Sequence, residues 1–146
     1  MSILRTSLLH HAPCTTADRK SPESSIPCHF DWLVELQPTR PPHRDVKTWR
    51  TSIRPDLMPI GGKTSIIPIG EHHGRWLTLT TLEHLDNQRG VVTPCLQGKL
   101  LAMQQPHTSV LELIIDWNRG APHHYRLEQL SETQSTLHRV HPESSS

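Results

Sequence analysis

Aromatic residues other than tryptophan are almost missing from this chain, which has one Phe, one Tyr and three Cys in 146 residues. Basic and acidic residues nearly cancel, 15 against 14, and are scattered without long runs. Such a balance provides no field to hold a nucleic acid or an anionic membrane, so a nucleic-acid partner is disfavoured and a membrane partner is not expected. No apolar run reaches the roughly 20 residues of a membrane-spanning helix. The segment Met1 to His11 is too short in its apolar part for a secretory signal, and an intracellular protein, cytoplasmic or nuclear, is expected. Cys14, Cys28 and Cys95 are an odd number without such a signal, which favours reduced thiols over a disulfide framework.

What the chain does contain is 13 Pro, 12 His and four Trp. Because an imidazole titrates near pH 6.5, mild acidification would make the chain strongly cationic. High Pro and His beside so few Phe and Tyr is a balance of short-lived accessory genes and overprinted reading frames, which points to a viral or orphan origin or, equally, to an ordinary domain with unusual tails. All four Trp and most of the Leu, Ile and Val lie between Phe30 and Leu130. Residues 1–28 and 132–146 are rich in Ser, Thr, Pro and His and have too few apolar groups to offset ordering entropy. The expected organisation is therefore one globular domain at 29–131 between two disordered tails.

Inside the domain, apolar residues alternate with period two, the signature of strands. Phe30, Trp32, Val34 and Leu36 share one face; Trp49, Thr51 and Ile53 share another, in a run from Lys47 to Arg54 that Pro55 ends. Gly61-Gly62 turns the chain into Thr64 to Ile69, where Pro68 suggests a sheet edge open to strand addition by a partner. Gly70 and Gly74 bracket a turn at His72-His73, and Arg75 to Leu82 follows, rich in Trp, Leu and Thr. Val91-Val92 and Lys99 to Met103 read as further short strands around Pro94 and Gly98. The clearest hairpin runs from Leu111, Leu113, Ile115 and Trp117 through Asn118-Arg119-Gly120 into His123 to Leu130, although the spacing of Leu127, Leu130 and Leu137 also suits a short helix. About eight strands result, an all-β barrel or sandwich of short antiparallel strands.

No catalytic set emerges. The His pairs 10-11, 72-73 and 123-124 point to opposite faces of any strand and so do not form one ligand set; no CxxC or HExxH occurs, and no metal or cofactor is expected. Cys95 has no base or cationic support near it in sequence and reads as an inert thiol. Ile60-Gly61-Gly62-Lys63-Thr64 lacks the first glycine of a phosphate loop, position 57 being Leu. Asp86, Glu112 and Asp116 form no paired acid/base motif. Arg50, Arg54, Lys63 and Arg75 with Trp49 and Trp76 compose a basic, aromatic face suited to RNA or protein, against the commoner reading of alternating charge on a solvated sheet.

The order Pro59-Ile60-Gly61-Gly62-Lys63, His73-Gly74-Arg75-Trp76, Gly90-Val91-Val92 with Gly98-Lys99, and Arg126-Leu127-Glu128-Gln129-Leu130 resembles that of the dUTPase family over roughly residues 38–130. The resemblance implies a β-barrel and a trimeric assembly. It also implies lost activity, since the position of the catalytic aspartate holds Thr93, that of the tyrosine under deoxyribose holds Leu96, and the phosphate-binding Arg-Ser pair is missing around Leu77 to Thr80. The resulting expectation is a non-catalytic viral accessory protein that binds a host or partner protein, with Trp49, Arg50, Arg54, Arg75 and Trp76 as contact residues. The alternatives are a divergent dUTP-type pyrophosphatase recruiting Asp86, Asp116 and Arg75, or an RNA-binding suppressor of host defence using Arg50, Arg54 and Arg75.

Overall fold

Alternating segments become strands, and two further strands come from stretches with no such pattern of their own. The computed structural model describes residues 3–12, 28–37, 46–72, 74–85 and 90–142. Its strands are β1 (Leu4–Ala12), β2 (His29–Val34), β3 (Val46–Thr51), β4 (Lys63–His72), β5 (Glu83–His84), β6 (Val91–His107), β7 (Val110–Asp116), β8 (His123–Ser131) and β9 (Gln134–Val140). They form one antiparallel sheet in the order β1-β2-β3-β4-β9-β8-β7-β6-β5, and β1 also pairs with β6. Eight strands thus close into a barrel, with the two-residue β5 attached outside the ring. Closure leaves few unpaired backbone edges.

The all-β architecture matches the sequence reading, but several boundaries do not. β1 and β9 fall in the stretches 1–28 and 132–146 that composition assigns to tails; residues 1–2, 13–27 and 143–146 of those stretches lie outside the described residues. Ring closure explains this: residues with modest apolar content gain two hydrogen-bonded neighbours each. Thr64 to Ile69 is not a simple edge, because β9 pairs with Lys63 through Ile66 and β3 with Ile67 through His72. Pro68, which has no N–H to give, stands just past the β9 contact. The His72-His73 turn is also revised: His72 ends β4, and His73 lies outside the described residues. Residues Gly74–Thr78 form a 3-10 turn at the start of the Arg75 to Leu82 stretch. Val91-Val92 and Lys99 to Met103 belong to one strand of 17 residues, β6, because Pro94 sits at the bulge facing Leu8 and Leu9 instead of ending the strand. After Leu127 there is no helix: β8 continues to Ser131, the chain turns at Glu132-Thr133, and β9 returns with Leu137 opposite Leu127. The β7–β8 hairpin is as expected, with Asn118 at φ 61° and Gly120 at φ 72° supplying the turn.

Inward-facing residues fill the barrel. Leu8, Trp32, Val34, Trp49, Met58, Ile66, Leu100, Leu113, Ile115, Trp117, Tyr125, Leu127 and Leu137 form one buried cluster. Trp32 is its centre: its ring centroid lies 5.6 Å from that of Trp49, 5.3 Å from Tyr125 and 6.3 Å from Trp117. Its indole N–H donates to Thr6 Oγ1 at 2.8 Å, and that hydroxyl donates to the Leu33 carbonyl at 2.7 Å.

One end of the barrel is plugged by residues 54–62. Pro55–Leu57 is a 3-10 turn whose following residue, Met58, is buried in the cluster. Tyr125 Oη donates to the Pro55 carbonyl at 2.7 Å, so its single proton is committed and it accepts from Trp117 Nε1 at 2.9 Å. His123 Nδ1, also 2.9 Å from that oxygen, must then be its protonated nitrogen. Arg139 Nη1 donates to the Met58 carbonyl at 2.6 Å. Outside the barrel, Leu77 packs on Leu9, Leu33, Val46 and Val92 with Trp76, Leu79 and Leu85 around it, so the segment 74–85 covers the outer face of β1–β3 and β6.

Gly98 lies where β6 passes between β1 and β7. A Cβ there would stand 2.5 Å from the Asp116 carbonyl oxygen and 3.2 Å from atoms of Thr6 and Trp117. Gly98→Ala should therefore destabilise the fold by about 1–3 kcal/mol, as overpacking does, read as a lower urea midpoint at unchanged slope. An unshifted midpoint would show that the strands part freely here. Tyr125→Phe strips the Pro55 carbonyl of its donor and Trp117 of its acceptor, and should cost about 2 kcal/mol in the same measurement.

Candidate functional site

Among the described residues, none plugs the end of the barrel opposite residues 54–62. Because β3 alternates, Lys47 faces inward on the same side as Trp49, one layer nearer the mouth. Leu36, Leu111, Gln129 and Ser135 occupy the corresponding layer on β2's end, β7, β8 and β9. Together with Gln105, Thr108 and Ser109 from the β6–β7 turn region they line a recess of about 140 Å³ whose floor includes Trp49 and Leu127. Lys47 Nζ stands 5.9 Å from the Trp49 ring centroid, within reach of a cation–π contact. Lys47 makes no ion pair among the described residues. Arg5, near this end on β1, is paired: Nε and Nη2 donate to Glu35 at 3.1 and 2.9 Å, and the Glu35 side chain is 2 % exposed.

A second group of polar side chains lies on the outer face. His11 and His29 are directly opposite each other on β1 and β2, with Nδ1 of His11 3.2 Å from Nε2 of His29. That Nε2 is 3.3 Å from Oδ1 of Asp31. Among the described residues, four buried side-chain polar atoms make no hydrogen bond; three of them, Ser7 Oγ, Asp31 Oδ1 and Arg50 Nε, belong to this covered outer face.

The residues expected to form a contact face do not share one. Trp49 is 3 % exposed and part of the barrel interior. Arg50 is on the outer face opposite Asp31. Arg54 is held in the plug, donating from Nε and Nη2 to Asp56 at 3.1 and 2.9 Å. Trp76 packs in the outer cover, and Arg75 is the second residue of that segment's 3-10 turn. Of the residues a hydrolase would recruit, Asp86 lies outside the described residues, and Asp116 accepts from the Asn118 N–H in the hairpin turn. Cys95 is half buried; desolvation pushes its thiol up, which Arg54 only partly offsets, so the unreactive thiol form is favoured.

No family model, curated protein or solved structure matches the chain.

Lys47 and the His11–His29–Asp31 group escaped sequence reasoning for different reasons. A charged residue on the same parity as Trp49 was a visible signal at position 47. His11, by contrast, lies in a stretch that reads as tail, and Asp31 reads as solvated until residues 74–85 are seen to cover that face.

The plugged end carries a pH response. Burial, with Arg139 nearby, holds His123 below the ordinary imidazole range; burial, with Lys63 and Arg126, does the same for the more exposed His138. Both then take up protons more readily in the unfolded chain. Stability should be full above the unfolded value of about pH 6.5 and fall as pH drops below it. Urea midpoints should decline between pH 7 and pH 5, and His123→Gln, which keeps a donor for Tyr125 Oη, should make that decline shallower. An equally steep decline in the variant would assign the effect elsewhere.

Proposed function

We propose that this chain is a non-catalytic binding module in which the recess at the barrel mouth around Lys47 receives part of a partner protein. The observation that carries the reading is Lys47, a cation without an acidic partner among the described residues, set over Trp49 in a recess otherwise lined by apolar, amide and hydroxyl side chains. A lone cation above an aromatic floor favours a carboxylate attached to an apolar group. Size favours a protein segment over a free metabolite: about 140 Å³ is below the roughly 300–1,000 Å³ of small-molecule pockets. It is close to the volume of about 150 Å³ that holds one benzene ring. One aromatic or aliphatic side chain with a neighbouring carboxylate, either an acidic residue or a chain end, fills it. Gln105, Thr108, Ser109 and Gln129 at the rim then bond the main chain of the same segment, a polar rim around an apolar anchor.

Titration of the isotope-labelled chain with N-acetyl-phenylalanine should shift amide signals of Leu36, Lys47, Leu111, Gln129 and Ser135. The corresponding amide, N-acetyl-phenylalaninamide, should bind about tenfold more weakly, as expected for one charge-assisted hydrogen bond. Lys47→Glu should abolish the shifts without changing the fold. Equal affinity for acid and amide, or shifts that survive Lys47→Glu, would remove the basis for this reading.

A further inference from the structure

Asp31 Oδ1 is buried and accepts no hydrogen bond among the described residues, although His29 Nε2 is 3.3 Å away. The same Nε2 faces His11 Nδ1 at 3.2 Å. All three donor atoms lie within 4.8 Å of one another, and the side chains of His29 and Asp31 are only 8 % and 10 % exposed. One hydrogen on Nε2 serves a single neighbour well, and a carboxylate left without a donor in such a setting is costly. A metal ion serves all three at once.

Distances favour it. Ligand bonds of 2.0–2.1 Å in a tetrahedron set neighbouring donor atoms about 3.3–3.4 Å apart, and the two close pairs here stand at 3.2 and 3.3 Å. Only the His11 to Asp31 separation must shorten, which small rotations of those two side chains supply. We propose that His11, His29 and Asp31 bind one divalent transition-metal ion on the outer face of the barrel, next to the cover formed by residues 74–85. Two imidazoles and one carboxylate are a donor set for zinc, with water completing the coordination. The ion would tie β1 to β2 across their pairing near the plugged end, so its role is structural. It is separate from the mouth and does not depend on the reading of Lys47.

Arg50 sharpens the test. It is the cross-strand neighbour of Asp31 yet makes no ion pair with it, so its charge opposes a bound cation while leaving the carboxylate available. Calorimetric titration of the full chain, without an affinity tag, with zinc sulfate should show one equivalent bound. Asp31→Asn and His11→Gln should each weaken binding by roughly 100-fold, the upper end of what losing a mere supporting residue costs. Arg50→Gln should tighten it, and His107→Ala, at an exposed position on β6, should leave it unchanged. Cobalt should give the visible absorption of a four-coordinate site in the wild-type chain and not in Asp31→Asn. Circular dichroism of the metal-free variants checks their fold; if Asp31→Asn does not fold, His11→Gln decides. No zinc uptake by the wild-type chain, uptake that persists in the folded ligand variants, or equal loss in His107→Ala overturns the proposal.

Discussion

Trp32 is the contact on which the rest of the barrel is arranged. It is completely buried and lies within ring-contact distance of Trp49, Tyr125 and Trp117, which come from three different parts of the ring. Aromatic groups of this size account for much of the apolar area a small domain removes from water. Burying an indole also buries its N–H, and Thr6 satisfies that group while passing its own proton to the Leu33 carbonyl. The requirement to pair one polar atom thus draws β1 onto β2 in register. Having only one Phe and one Tyr is no handicap when the tryptophans converge on one interior.

Closure of the ring then makes the two ends unlike. At one end, the chain between β3 and β4 folds back and its carbonyls are pinned by Tyr125 and Arg139. At the other, β2, β3, β7, β8 and β9 end without a comparable plug among the described residues, and the topmost inward layer holds Lys47. An eight-stranded barrel has an interior just wide enough for side chains. Four large rings nearly fill it, so a binding site can only be shallow and at the mouth. Outside, residues 74–85 turn part of the barrel's polar face into a second, smaller buried region. Asp31 and His29, on the side opposite Trp32, are nearly inaccessible as well.

Much of the strand content was legible from alternation: β2, β3, β7 and β8 follow from the parity of Phe30 to Leu36, Trp49 and Thr51, Leu111 to Trp117 and the residues after His123, although β3 ends at Thr51 and Ile53, expected on the face of Trp49, is exposed. The Asn118–Gly120 turn was legible too, since both positive-φ positions carry residues that tolerate them. β1 and β9 were not, because a strand such as Gln134–Val140, with Leu137 as its only fully buried apolar side chain, is held by its neighbours' hydrogen bonds more than by its own hydrophobicity. Pro94 and Pro68 misled for a related reason. A proline ends a strand only where its missing N–H would have been needed.

The sequence by itself determined an all-β chain, the inward face of most strands and the position of the principal hairpin, because these depend on neighbours two to ten residues apart. Which strands become adjacent was decided only in three dimensions. Pairing β1 with β6, and β9 with β4, joins segments separated by dozens of residues, and nothing in the local pattern specifies such partners. Both candidate sites inherit that limit. Lys47 acquires meaning when the mouth closes around it, and His11 meets His29 only through the register of two strands whose connection contributes no signal of its own.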